Sequence, residues 1–290
     1  MIELSAPAKV NLFLHVLGRR EDGYHELVTR MQKIDLCDTL HVSRRTSPGV
    51  AFSCSDKRLP TGTGNLAVLA AHTYLDAAGV DGRCGLEIRL QKRIPVAAGL
   101  GGGSSDAGAV LRGLNILFDN ALGAEQLIEL GGTIGADVPF FTVACTAAIA
   151  RGIGERLSPA ADIEGFWILL VNPGISVSTR IVFENYALTT LSKNSTLPSF
   201  DKSGLDRFSC DQMHNDLEAV TMARHPVIGT IKHSLIENGA AAAMMSGSGP
   251  TVFGLFSTER FTARQIETLV DTFALAYGQH VYATRTYTGV

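Results

Sequence analysis

The sequence is poor in cysteine, and its few cysteines form no recognisable metal or disulfide pattern. There are five in 290 residues, an odd number, without a CxxC pair. The two that stand closest in the chain, Cys37 and Cys54, are seventeen residues apart. We therefore expect reduced thiols, as in a cytoplasmic protein.

Long apolar runs and clusters of one charge are also missing. Only 18% of the residues are charged, the formal net charge is −3, and lysine and arginine are scattered along the chain. No stretch approaches the roughly 20 apolar residues that cross a bilayer, and the N-terminus lacks a charged segment followed by an apolar one. We expect no nucleic-acid partner, no membrane contact and a cytoplasmic location, with either a monomer or a homodimer.

Apolar residues are plentiful overall, at 46% of the chain, so one large domain or two ordinary ones can bury a core. Strand-like runs occupy residues 2–17, 40–44, 50–55, 86–90, 166–171, 241–245, 252–256 and 280–287. Helical spacing occupies residues 65–78, 104–118, 124–131, 226–237 and 262–277. Strands and helices do not alternate regularly, which excludes a doubly wound fold. We predict a domain over residues 1–160, a second over 161–290, and an exposed connection at 187–210.

A glycine-rich loop follows one predicted strand and opens the next helix. Its residues are Pro95, Val96, Ala97, Ala98, Gly99, Leu100, Gly101, Gly102, Gly103, Ser104 and Ser105. Backbone amides without side chains and the positive end of a helix dipole would converge there, which predicts an anion cradle. The two serine hydroxyls could cap the helix, contact phosphate oxygens or help to hold a magnesium ion.

The alternative for this loop is a flexible turn with a serine cap. Four glycines in five residues are costly in backbone entropy, so that alternative is weaker here than for an ordinary glycine cluster. No lysine precedes Ser104, which excludes a Walker A motif, and the spacing does not fit a dinucleotide fingerprint. A positive charge for a bound phosphate must therefore come from elsewhere in the chain or from magnesium.

Three further polar residues stand in unusual places. Lys9 and Asn11 are two apart on a predicted strand and so share a face that is otherwise apolar or small. A lysine there is costly unless it is paired, and Asp137, just after a predicted helix, could be its partner. The simpler alternatives are a lysine that reaches solvent from a sheet edge and an aspartate in a turn.

A second glycine and serine turn, residues 245–251, joins two predicted strands. As a hairpin it needs no function. Its composition would also let the backbone approach a triphosphate from the side opposite the first loop.

Together these segments resemble the GHMP kinases, a superfamily named for galactokinase, homoserine kinase, mevalonate kinase and phosphomevalonate kinase. Residues 5–11 resemble the first motif of the family, residues 95–105 its phosphate loop and residues 246–249 its third motif. The resemblance implies an α+β, two-domain fold, with an N-terminal ribosomal-protein-S5-like domain and a C-terminal ferredoxin-like α/β sandwich. It also implies ATP and Mg²⁺, and transfer of the γ-phosphoryl group to an alcohol.

Residues 8–12, 22–27, 135–141 and 173–179 are similar to one branch of these kinases, whose small-molecule substrate carries a cytidine diphosphate group. By analogy Asp137 would be the catalytic base and Lys9 its charged partner, while Asn65 and Leu66 would lie beside the adenosine. The candidate substrate-binding residues are Asn11, Tyr24, His25, Asp137, Thr179, Phe183, Gly247 and Ser248. No protein ligand of the metal is assigned.

The aromatic residues of this set give the narrowest prediction. We predict that Tyr24 and Phe183 clamp the cytosine ring and that His25 contacts its edge. The alternative is that both aromatics are ordinary core residues. At the level of function, the alternatives are another GHMP kinase, of the homoserine or mevalonate type, and a regulator that kept the fold without catalysis.

Overall fold

The computed structural model describes residues 1–80, 84–190 and 208–289. Its strands in chain order are β1 (Ile2–Arg19), β2 (His25–Arg45), β3 (Gly49–Cys54), β4 (Gly85–Gln91), β5 (Ala147–Gly152), β6 (Arg156–Pro159), β7 (Phe166–Val171), β8 (His214–Asn215), β9 (Ala242–Met245), β10 (Val252–Ser257) and β11 (Val281–Thr284). Within these ranges they form two sheets, one ordered β3-β4-β2-β1-β8 with β5 on β2 and β6 on β5, the other ordered β11-β7-β10-β9.

Five of the eight α-helices in the described ranges lie close to their predicted bounds, and the three at residues 138–142, 179–190 and 218–224 are not among the predicted helices. The eight are α1 (Leu66–Ala77), α2 (Gly102–Leu117), α3 (Ala124–Ile134), α4 (Val138–Thr142), α5 (Thr179–Thr190), α6 (Glu218–Arg224), α7 (Val227–Glu237) and α8 (Ala263–Tyr277). The Asn65 side chain accepts from the Ala67 amide and so starts α1, and Thr262 starts α8 in the same way. None of the helices in the described ranges is long and apolar enough to cross a membrane.

The second sheet separates two layers of core because its side chains alternate between faces. Leu169 and Val171 belong to a buried cluster with residues of α7 and α8. Ile168 and Leu170 belong to another cluster that includes Leu12 of β1. The helices therefore cover one face of this sheet and the first sheet covers the other, which is the α+β, two-domain arrangement that the sequence predicts.

Strand β2 is much longer than the predicted strand at residues 40–44. Arg30, Gln32 and Lys33 are buried within it and interrupt the apolar alternation. Each has a distant partner. Arg30 Nη2 donates to the Ala161 carbonyl at 2.7 Å, Gln32 Nε2 to Asp162 Oδ1 at 2.7 Å and Lys33 Nζ to the Val143 carbonyl at 2.8 Å. Such contacts depend on the tertiary fold, so the pattern could not reveal this part of the strand.

Several other strands and the domain boundary differ from the sequence prediction or are not tested by the structure. Strands β5, β6 and β8 are not predicted, and the predicted strand at residues 280–287 is shortened to β11. Most of the predicted connection, residues 191–207, lies outside the described residues. The first sheet reaches Pro159 and β7 begins at Phe166, while β8 returns to the first sheet. The boundary at residue 160 stays a prediction.

Candidate functional site

A cleft of about 1260 Å³ lies between the two glycine-rich loops, beside β1 and α5. Its lining includes most of the predicted site residues, namely Lys9, Asn11, Tyr24, His25, Asn65, Leu66, Pro95, Val96, Ala97, Ala98, Gly99, Gly101, Gly102, Gly103, Ser104, Asp137, Thr179, Phe183, Gly247 and Ser248. The fold thus brings nearly all of the predicted site residues into one cleft, although they are up to 239 residues apart in the chain. The lining does not include Leu100 or Ser105.

The glycine-rich loop is pinned to β1 immediately before α2 begins. The Lys9 amide donates to the Leu100 carbonyl at 2.9 Å, while the Leu100 side chain is buried between the two sheets. Gly101 has φ +70°, and a Cβ there would lie 3.1 Å from Lys9 Cγ. Glycine adopts this backbone conformation without strain. Because Gly101 has no side chain, the loop can also approach Lys9 closely.

Two polar atoms behind this loop are buried without a hydrogen-bond partner among the described residues. They are the hydroxyl of Ser105 and Oδ1 of Asp106, the fourth and fifth residues of α2. Buried polar groups are normally satisfied, and Asp106, which also lines the cleft, could therefore accept a hydrogen bond from a ligand or hold a cation there.

The polar residues of β1 form a connected group with Asp137. Lys9 Nζ donates to Asn11 Oδ1 at 2.6 Å and lies 3.5 Å from Asp137 Oδ2. The Asn11 side chain in turn donates to the Thr29 hydroxyl at 2.8 Å. The Lys9 side chain is 5% exposed and that of Asp137 is 34% exposed. Lys9 is therefore buried and held by Asn11, whereas Asp137 is partly exposed to the cleft.

The second loop, between β9 and β10, covers this group. Gly247 has φ +56°, and a Cβ there would lie 3.3 Å from Asn11 Oδ1 and 3.6 Å from Lys9 Nζ. The buried Asn215 side chain donates to the Gly247 carbonyl at 2.8 Å and so fixes the position of the loop. Ser248 is joined to Thr179 by a hydroxyl hydrogen bond of 2.8 Å, which links the loop to α5.

The aromatic candidates all line the cleft. His25 and Phe183 have ring centroids 5.1 Å apart, and Tyr24 is 60% exposed. His25 Nε2 is buried without a hydrogen-bond partner among the described residues. Burial, and secondly the charge of Arg19, lowers the pKa of His25, which favours its neutral form. Tyr24 is thus no core residue, whereas Phe183 also packs against the core of the second sheet.

The sequence prediction missed a buried ionic group in the cleft. Lys92 Nζ donates to Asp106 Oδ2 at 2.8 Å and also to the Asp38 carboxylate. Asp38 additionally accepts from the Ile94 amide at 2.9 Å. Burial and, secondly, the charge of Asp38 raise the pKa of Asp106, and the charge of Lys92 offsets only part of this shift. Burial by itself would lower the pKa of Lys92, but the two carboxylates raise it overall.

One signal in the sequence points to this group. Lys92 and Arg93 stand directly before the glycine-rich loop, where a phosphate site needs positive charge. The two carboxylates could not be foreseen, because Asp38 is 54 residues away from Lys92 in the chain.

Comparison with known proteins agrees with this geometry. Residues 65–145 match the family described as the GHMP kinases N terminal domain, and residues 200–271 match the GHMP kinases C terminal. The 4-diphosphocytidyl-2-C-methyl-D-erythritol kinase of Desulfotalea psychrophila is 46% identical over 98% of this chain and 95% of its own length. The enzyme of the same name from Geobacter metallireducens is 48% identical over 95% and 97%.

A solved structure is similar over the whole fold. The crystal structure of a 4-(cytidine 5′-diphospho)-2C-methyl-D-erythritol kinase superposes with a TM-score of 0.81 at 36% identity, covering 99% of this chain and 100% of that one. The predicted fold class is therefore confirmed. Close to half of the residues are shared with relatives along nearly their full length, and so the chain belongs to the 4-diphosphocytidyl-2-C-methyl-D-erythritol kinase family of the GHMP kinases.

Proposed function

We propose that the protein transfers the γ-phosphoryl group of ATP to the 2-hydroxyl of 4-diphosphocytidyl-2-C-methyl-D-erythritol, a step of the non-mevalonate route to isoprenoids. The products are the 2-phosphate and ADP. The observation that carries the proposal is the group of Lys9, Asn11 and Asp137 inside one cleft, with a glycine-rich anion cradle on one side and His25 on another.

The phosphate side of the cleft suits ATP. Backbone amides of residues 99–103 and the N-terminus of α2 supply donors and a positive dipole for the triphosphate. Asn65 and Leu66 line the same part of the cleft beside the loop and would lie next to the adenosine. Mg²⁺, when bound with the nucleotide, would neutralise phosphate charge, and the unpartnered Oδ1 of Asp106, a residue that lines the cleft, could hold such an ion.

Asp137 is placed to act as the base. As the substrate oxygen bonds to the γ-phosphorus, the bond from that phosphorus to the leaving ADP oxygen breaks, and the hydroxyl proton passes to the Asp137 carboxylate. Lys9 keeps a positive charge 3.5 Å from that carboxylate. Asn11 accepts a hydrogen bond from Lys9 and so holds the lysine in position, which orients the Asp137 carboxylate before the substrate binds. Most of the rate enhancement would still come from positioning of the reactants and neutralisation of charge.

The other end of the cleft suits a cytosine ring. A neutral His25 can exchange hydrogen bonds with the edge of the base through its unpartnered nitrogen. Phe183 and the exposed Tyr24 offer aromatic faces for stacking. Thr179, Gly247 and Ser248 line the same cleft and could contact the rest of the substrate. We place the reaction in the cytoplasm, which the five free thiols support, and in a monomer or homodimer.

A substrate panel tests the proposal. Purified protein is incubated with ATP, MgCl₂ and, separately, the cytidine-diphosphate substrate, homoserine and mevalonate, and the products are followed by ³¹P NMR. We expect a new phosphomonoester signal with the first substrate alone. Equal or faster phosphorylation of homoserine or mevalonate would contradict the assignment.

A further inference from the structure

We propose that His15, His214 and Asp216 bind a divalent transition-metal ion of the Zn²⁺ class at the junction of β1 and β8. One candidate ligand atom from each of the three residues lies within 4.8 Å of the others. None of the three belongs to the catalytic group or lines the cleft, so this site is separate from the proposed kinase chemistry.

The backbones that carry the three side chains are locked together. Strands β1 and β8 are parallel, with Phe13 opposite His214. Beyond β8 the Asp216 amide donates to the Leu14 carbonyl at 3.0 Å. The Val16 amide donates to Asp216 Oδ2 at 2.7 Å and thereby orients the carboxylate. The site is thus largely organised in advance, and a backbone donor supports the carboxylate as outer-shell groups do in metal sites.

The donor atoms select the kind of ion. Two imidazoles and one carboxylate are typical ligands of Zn²⁺, Co²⁺ and Ni²⁺, whereas Mg²⁺ and Ca²⁺ prefer sites made wholly of oxygen. Three protein ligands leave a fourth position for water. The preference therefore differs from that of the nucleotide site, which takes Mg²⁺.

A modest movement would complete the coordination. The His15 and His214 rings are stacked, with centroids 4.7 Å apart and planes at 14°, and His214 Nε2 lies 2.7 Å from Asp216 Oδ1. Parallel rings direct their nitrogen lone pairs side by side, so one ring must turn to converge on an ion. The His214 side chain is 53% exposed and has room to turn, and it also gives the ion a path from solvent.

Binding of an ion would stabilise the short pairing between β8 and β1. Strand β8 has two residues, and through it the segment after residue 208 joins the first sheet. Leu14 and Leu217, which flank the cluster, line the cleft. An ion that binds the folded chain alone therefore raises its stability and fixes one wall of the cleft.

Metal titration of the tag-free full chain tests this site. Zn²⁺ binding is measured by calorimetry and Co²⁺ binding by visible absorption, on the wild type and on His15→Gln and His214→Gln. His233→Gln is the matched control, because His233 is 75% exposed and pairs with Glu237 at 3.1 Å, and the described residues offer no third ligand beside them. We expect one ion per chain, at least tenfold weaker binding in both cluster variants, unchanged binding in the control, and a Zn²⁺-dependent rise in Tm that the cluster variants lose.

Three results would overturn the proposal. They are unchanged affinity in His214→Gln, an equal loss in His233→Gln, and a Co²⁺ spectrum with thiolate charge-transfer bands, which would assign the ion to cysteine. If His15→Gln fails to fold, the exposed ring of His214 still allows its own variant to decide.

Discussion

The hydroxyl of Ser246 donates a hydrogen bond of 2.9 Å to the carbonyl oxygen of Gly99. This bond joins the loop between β9 and β10 to the glycine-rich loop before α2. The contact is so close that a Cβ on Gly99 would lie 2.2 Å from the Ser246 carbonyl oxygen. The anion cradle and the loop over Lys9 are therefore held as one unit.

Gly99→Ala should disrupt this unit. Gly99 has φ +75°, so alanine there is strained as well as in collision with Ser246. We expect a loss of about 1–3 kcal/mol in the free energy of unfolding and weaker ATP binding, measured by urea unfolding and by nucleotide titration.

Gly103→Ala is the matched control for Gly99→Ala. Its Cβ would meet Leu66 Cδ1 at an ordinary 3.6 Å, so stability should be kept while ATP binding weakens. Gly102 serves less well, because its Cβ would lie 3.0 Å from Ile94 Cγ2 and perturb packing. Equal stability of Gly99→Ala and Gly103→Ala would show that the two loops are not coupled.

Tyr24→Ala should impair recognition of the cytidine substrate without harming the fold. Stacking of one aromatic on a base contributes roughly 1–3 kcal/mol, which corresponds to an increase of about 5- to 150-fold in KM for that substrate. Because Tyr24 is 60% exposed, Tm and the KM for ATP should stay near their wild-type values.

Two further variants complete this test of the cytosine site. Tyr24→Phe keeps the ring and should keep KM, and Phe183→Ala should raise KM with some loss of stability, since Phe183 also contacts the core. A drop in Tm with unchanged KM in Tyr24→Ala would assign the ring to structure and remove it from recognition.

Lys33→Met should stabilise the protein near neutral pH and lose that advantage in alkali. Burial lowers the pKa of Lys33 from 10.5 to about 8, so the unfolded chain holds this proton more tightly than the folded one. The penalty on the folded state is complete below pH 8 and disappears as the pH rises toward 10.5. The expected gain at pH 7 is about 1–3 kcal/mol in the free energy of unfolding.

Urea unfolding of the wild type and Lys33→Met at pH 7 and pH 10 measures this difference. Lys57→Met, at an exposed lysine, is the control and should change stability little at either pH. The same gain for Lys33→Met at both pH values would mean that its charge is not what destabilises the fold.

Local pattern was enough to predict the glycine-rich loop, most of the helices and the continuous apolar strands of the second sheet. It failed where polar residues are buried inside a strand. Asp38 and Lys33 in β2 are compensated by groups that come close only in the folded chain, such as Lys92 and the Val143 carbonyl. The catalytic roles of Lys9 and Asp137 came from resemblance, whereas the residues alone suggested only that the two could pair, and spacing favoured simpler roles for both.

Asp137 is proposed to accept the hydroxyl proton during phosphoryl transfer, and the turnover of Asp137→Asn is the decisive measurement of that role. Single-turnover phosphorylation of the cytidine-diphosphate substrate is measured beside ATP affinity and Tm, with Asp271→Asn on the exposed side of α8 as control. We predict a rate at least about a hundredfold below wild type, because a general base contributes on that scale, with ATP affinity, Tm and the control unchanged. A folded Asp137→Asn that turns over at nearly the wild-type rate would show that Asp137 is not the base.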